Sequence, residues 1–295
     1  MNNSLLLLLG TILISLPLHS EAAPYAIATR DIQLNGYNLS VDSFNSTDPL
    51  RSTGAQYDPL KGGGDGAVMA SEAGIHNANN AGTVELLGKL ETGLPFALQI
   101  SAESSIGSIA WHQSGQTGIE PGFHTTNLVL VFPDVVPPFA GFVPVSGTYD
   151  GVFYNYILNT GDYNLPSLTM SGGQKMLVLG SASLTVSGNA NLSGNSYILI
   201  LPSAGLRLYV GGTANLRGSG VINQGAPHNF QYFGTGANPT LNLRVTTPFV
   251  GMIYAPNAVC SISSGGNTTA DLQGAIIART IVLGTRVDFH FDEGL

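Results

Sequence analysis

The sequence predicts an all-β protein, a parallel β-helix or β-solenoid with coils of 23–24 residues, joined to a more irregular β-rich N-terminal half. Sustained alternation is the first observation behind this. From Leu168 to Ile222 the even positions are apolar or small, as in Met176, Val178, Leu184, Val186, Ala190, Leu192, Ile198, Ile200, Leu206, Leu208 and Val210, interrupted by Gln174 and Ser196. Odd positions are mostly Ser, Thr, Asn, Arg and Gly, with Leu177, Leu179, Leu199 and Leu201 as departures. A period of two puts one face inward and one outward, which is β-structure with a single buried face. Next comes a repeat: Leu184-x-Val186-x-Gly188-x-Ala190-Asn191-Leu192 returns 24 residues later as Leu208-x-Val210-x-Gly212-x-Ala214-Asn215-Leu216. A third observation is Gly251-x-Ile253-x-Ala255, with Val259, matched 23 residues later by Gly274-x-Ile276-x-Ala278, with Val282. Repeats at this period are the signature of stacked coils, with like residues above like.

Leu5 to Leu18 is apolar and followed by Ser20-Glu21-Ala22-Ala23. That length suits a signal-peptide core better than a membrane span, and Ser20-x-Ala22 suits cleavage, so residues 1–22 read as a signal peptide. The mature chain is then expected to begin at Ala23, with no transmembrane span. Residues 23–127 form the N-terminal β-rich region. Ile32, Leu34, Leu39 and Val41 alternate around the turn Asn35-Gly36, and Gly62 to Gly66 mark a loop. Val84-x-Leu86-x-Gly88-x-Leu90 resembles one later rung. Residues 128–145 are apolar but carry Pro133, Pro137, Pro138 and Pro144, which excludes a helix interior or central strand and leaves an extended crossover or linker. Residues 146–295 form the C-terminal β-solenoid domain.

Composition narrows the function. Charged residues are only 9% and glycines number 38, so the surface is Ser, Thr, Asn and Gly rather than ion pairs, as in extracellular β-proteins. A net charge of −8 without a basic stripe argues against nucleic acid as a partner. Cys260, the lone cysteine, reads as a buried inert thiol. Nucleophile elbows, phosphate-binding loops and paired-cysteine metal sites are absent from the sequence, so no cofactor is expected.

Two polar clusters stand out. Val287-Asp288-Phe289-His290-Phe291-Asp292-Glu293, read as a strand, puts Asp288, His290 and Asp292 on one face, a weak metal or acid–base set. The competing reading is a capping strand whose aromatics close the end of the core, and it carries no catalytic or metal role. Trp111, His112, Glu120 and His124 form the second cluster, with a ring and polar groups that could bind a sugar; core packing is the competing reading for the only tryptophan.

Asp42-Ser43-Phe44 with Asp48-Pro49, Gln56-Tyr57-Asp58-Pro59, Trp111-His112, Gly118 to Gly122 and Phe289-His290-Phe291-Asp292-Glu293 together resemble a family of uncharacterised bacterial exported or envelope proteins. Its C-terminal domain ends in Phe-His-Tyr-Asp-Glu, with Phe291 standing here in place of the Tyr. Related domains follow pilin-like N-termini of the PilX type and are bactofilin-like β-solenoids. The resemblance implies a fold and an envelope location, and no activity.

The function expected is therefore a non-enzymatic structural, adhesion or surface-assembly protein, secreted or held in the bacterial cell envelope. Its expected partners are cell-surface polysaccharide, a pilus or other envelope proteins. The alternative is a carbohydrate-active β-helix, either a polysaccharide lyase or hydrolase or a carbohydrate-binding module. Such enzymes gather acids and bases on one outer face. Between 168 and 222 the outward ionisable residues are Lys175, Arg207 and Arg217, with no carboxylate.

Overall fold

The computed structural model describes residues 25–77, 81–138, 141–217, 219–266 and 268–295. The leader read at residues 1–22 lies outside them. The chain is all-β, with parallel strands hydrogen-bonded rung upon rung into a solenoid-like sheet.

The repeats set the registers, except past a register shift after Ala255, where Val259 lies opposite Thr280 and not Val282. In the second half each turn of chain lays down strands on three faces. On one face Gly161–Leu165, Ser181–Val186, Gly205–Val210 and Phe230–Gly234 pair in parallel, with Leu184 opposite Leu208 and Val186 opposite Val210. The next face stacks Leu168–Met170, Ala190–Leu192, Ala214–Leu216 and Thr240–Val245. A separate five-stranded sheet makes the third, from the antiparallel pair Val145–Tyr149 and Val152–Leu158 through Lys175–Val178 and Tyr197–Ile200 to Gly220–Asn223. Two long strands follow, Phe249–Ser264 and Ala270–Leu283, with Ile253 opposite Ile276. Leu184, Val186, Leu208 and Val210 are fully buried, so the even-numbered side chains face the core through Leu216; the parity then shifts, and in Gly220–Asn223 it is the odd Val221, opposite Ile198, that faces in rather than Ile222. Thr185, outward by parity, is nonetheless buried, beneath the outer row in which Tyr209 stacks on Phe233 at 4.9 Å.

The first half continues this stack from its last strands. Ile27–Gln33 pairs in parallel with Ala270–Leu283, Ile27 opposite Ile276 and Ile32 opposite Ile281. Leu39–Phe44 pairs with Val287–Asp292 on one side and Val84–Thr92 on the other. The rungs then continue through Ala67–Ser71, Gly74–His76 and Ser105–Gly107 to the short helix Ile109–Gln113. In the order of winding, residues 145–292 come first and residues 27–125 continue from them. The place a chain would reach after Asp292 is held by Ile27–Thr29.

That arrangement requires a long return, which the proline-bearing segment supplies. Leu128 N donates to Thr92 O and Leu130 N to Glu72 Oε1, both at 2.9 Å. Leu130 packs with Ala28, Ala70 and Ile277. Tyr254 Oη donates to Pro133 O at 2.7 Å, and Phe142 then pairs with Tyr163 at the far end. The segment thus runs along the outside of the sheet, and an extended, proline-rich chain needs no ladder of its own there.

Candidate functional site at the seam

The strand Val287–Asp292 lies between Ala270–Leu283 and Leu39–Phe44, and this seam holds a cluster of polar and charged side chains. Phe289 and Phe291 point into the core at 2% and 7% exposure. The end-cap reading is therefore corrected: these rings are covered by rungs on both sides, because the first half stacks on the strand that was expected to be last. Sequence order concealed this, since the covering strand comes about 250 residues earlier.

Outward from the same strand, register sets Asp42 beside His290 and Gln273 on its other side. His290 Nδ1 meets Asp42 Oδ1 at 2.5 Å, and Nε2 lies 3.9 Å from Asp271 Oδ1. The Tyr57 ring stacks on the imidazole at 3.6 Å between centroids and 9° between planes. Its hydroxyl donates to Asp42 Oδ2 at 3.1 Å, and its backbone N–H donates to Gln273 Oε1 at 3.0 Å. Burial first, then the Asp42 carboxylate, hold the Tyr57 hydroxyl well above its ordinary value. Burial also raises Asp271, opposed by His290 and Gln273 and reinforced by Asp288 and Asp42.

A second clasp lies three residues on, just past the end of the strand. Arg51 grips Glu293 with both terminal nitrogens, at 2.6 and 3.0 Å. Ser43 Oγ donates to Glu293 Oε1 at 2.5 Å and accepts from Gly66 N at 3.0 Å. Burial would raise Glu293, but the hydrogen bonds from Arg51 and Ser43 outweigh it and hold the carboxyl below its ordinary value.

Asp288, His290 and Asp292 do not converge. Asp288 meets Arg286 at 3.3 Å on the outer face. Asp292, expected on the face it shares with Asp288 and His290, is fully buried, because the strand ends there and its Oδ1 takes Ser46 N at 2.8 Å and Gly294 N at 2.9 Å. Among the described residues no group of three His, Cys, Asp or Glu side chains is placed to hold a metal ion. An imidazole with one nitrogen on a carboxylate and one face under a ring is built to be held.

The other cluster gathers around the short helix Ile109–Gln113, none of whose residues is buried. Ser108 caps the helix Ile109–Gln113 by accepting from Trp111 N, and its own N–H donates to Glu120 Oε2 at 2.6 Å. Trp111 and Glu120 both press on Gly107, where a Cβ would stand 3.0 Å from the indole and 2.6 Å from the carboxylate. His112 Nε2 lies 3.0 Å from Leu86 O. His124 sits apart, 2.9 Å from Thr92 Oγ1 and edge-on to Phe96, its basicity lowered by burial.

Residue-type reasoning missed Tyr57, Arg51 and Glu293 as contributors. The available signal was the group of motifs that carry the family resemblance: Asp42-Ser43-Phe44, Gln56-Tyr57 and Phe289 to Glu293 meet at this seam.

Residues 149–295 match the family model of a domain of unknown function, DUF7305. No curated protein and no solved structure matches the chain. The matched residues are the second half up to and including the seam strand, and the residues that clasp it from the first half lie before the match. Among the described residues no helix is long and apolar enough to cross a membrane.

Proposed function

We propose that this chain is a non-enzymatic structural or adhesion protein of the bacterial surface, exported behind a leader cleaved after Ala22, and that its stack is a right-handed parallel β-helix. The hand is the one that parallel crossovers adopt in nearly all sheets. One observation carries the functional reading. The groups that would do acid–base chemistry at the seam are engaged with each other across the junction of the two halves, His290 with Asp42 and Tyr57, and Glu293 with Arg51 and Ser43. Removing either side would loosen the fold before it altered any reaction, which is the behaviour of a joint.

The test has two arms. Exported protein should begin at Ala23 on N-terminal sequencing, and purified protein should adhere to isolated cell envelopes while releasing no product from a polysaccharide panel. The His290→Ala variant should lose stability and adhesion together. A His290→Ala protein of wild-type stability, paired with wild-type turnover that the variant lacks, would overturn the reading in favour of a carbohydrate-active enzyme.

A further inference from the structure

A groove of about 330 Å³ lies on the outer face of the second half, away from the seam. It runs across three rungs, and its lining includes Ser181, Ser183, Ser203, Gly205, Arg207, His228 and Gln231. Its volume sits at the lower end of the roughly 300–1,000 Å³ of small-molecule sites.

The pairing of these side chains sets the groove apart from the surface around it. On a neighbouring face the outward amides satisfy one another rung to rung: Asn215 donates to Asn191 at 2.6 Å and Asn242 to Asn215 at 2.8 Å. In the groove, the Ser181, Ser183 and Ser203 hydroxyls and the His228 ring make no side-chain hydrogen bond among the described residues. Arg207 uses only Nε, at 3.3 Å to Gln231 Oε1, which leaves the two-pronged end of its guanidinium open. The wall is firm, because Asn229 donates to Pro202 O and Ala204 O and so fixes the corner.

Charge decides the ligand class. The chain carries −8 overall, yet the groove contains a guanidinium and an imidazole and no carboxylate lines it. The nearest acid in register, Asp162, stands one rung beyond Ser183 and outside the lining. Several hydroxyl and amide partners around one planar cation match a ring bearing many hydroxyls and one carboxylate, since a guanidinium takes a carboxylate through two parallel bonds.

We propose that this groove binds a sugar acid, as a hexuronate unit of an acidic polysaccharide, with Arg207 on the carboxylate and the serine hydroxyls and Gln231 on the ring hydroxyls. The proposal deepens the adhesion reading and rests on it for the setting in which such a polymer would be met. It leaves the seam untouched.

The experiment titrates the purified full chain with an oligogalacturonate and with a neutral galactose oligomer of the same length, read by calorimetry. A third arm uses sodium sulfate. Saturable binding of the acidic oligomer is expected, and the neutral one should bind about tenfold more weakly or worse. Arg207→Ala should bring the acidic oligomer down to the neutral level. Gly205→Val should abolish both; a Cβ there meets only Asn229 O, at 3.7 Å, an ordinary contact. An unchanged thermal midpoint in both variants verifies that the fold is kept. Absence of saturable binding by the wild type, equal affinity for the two oligomers, binding of sulfate as tight as that of the oligomer, or an Arg207→Ala variant that binds normally would each overturn the proposal. The two readings also fail separately. Envelope adhesion by a wild-type chain that binds no acidic oligomer leaves adhesion standing and refutes the groove, whereas oligomer binding without envelope adhesion does the reverse.

Discussion

Replacing Phe289 by alanine tests the seam most directly. The ring is 2% exposed, with Val41 of the first half and Leu272 of the second in register on either side. A ring at the open end of a stack would have water on one side, and neighbours could settle into the space it left. Here rungs above and below are held by backbone ladders, so the space cannot collapse. The loss should therefore be the full one for a buried phenylalanine, about 3–5 kcal/mol. Against the roughly 5–15 kcal/mol of a whole domain, that is a large fraction. Stacked rungs stabilise mainly their neighbours, so weakening one junction should also uncouple the two sides. Urea denaturation followed by tryptophan fluorescence and circular dichroism measures both effects. Trp111 reports on the first half alone, while circular dichroism sees all strands. The expected result is a lower midpoint and two transitions that no longer coincide. A loss below about 1 kcal/mol with coincident transitions would refute the sandwiched position of the ring.

Four further expectations can be checked separately. Val210→Asp places a carboxylate between Val186 and Gly234 at a fully buried position and should cost about 3 kcal/mol or more, whereas Thr213→Asp at a half-exposed corner should stay within about 0.5 kcal/mol, both by chemical denaturation. The depressed Glu293 carboxyl contributes stability above its ordinary value of 4.5, lost as pH falls through the lower folded value, so Glu293→Gln should flatten the acid limb of a stability–pH curve. Asp271 is shifted the other way: its contribution is present below the ordinary 3.8 and lost as pH rises through the raised value, so Asp271→Asn should gain stability at neutral pH. Cys260 is fully buried and its thiol pushed up to about 12, so a thiol reagent at pH 8 should label it only after denaturant is added.

The registers of the second half could be read from the sequence because stacking superimposes residues one coil apart. The repeated Leu-x-Val and Gly-x-Ile strings are where Leu184 meets Leu208 and Ile253 meets Ile276. The seam could not be read that way. Asp42 and His290 stand 248 positions apart, and no period links them, since the coil they join is broken in the sequence and closed only in space. Asp292 was misplaced for a local reason. Alternation holds only while a strand runs straight, and here the chain turns in at its end to let a carboxylate take two backbone N–H groups.

The winding order also bears on how the molecule comes to be made. Val287–Asp292 leaves the ribosome after both strands that flank it, and Ile27–Gln33 waits for Ala270–Leu283. Until then Leu39 and Val41 lack the rung that covers them on one side, and the edge of Leu39–Phe44 is open to any other strand. A nascent chain is therefore most exposed to mispairing at its middle rung, and emergence of Val287–Asp292 is the step that removes the exposed edge. A chain rewired to begin near residue 141, with Leu295 linked to Tyr25, would lay down its rungs in spatial order. It should refold with less aggregation than the natural order at equal concentration.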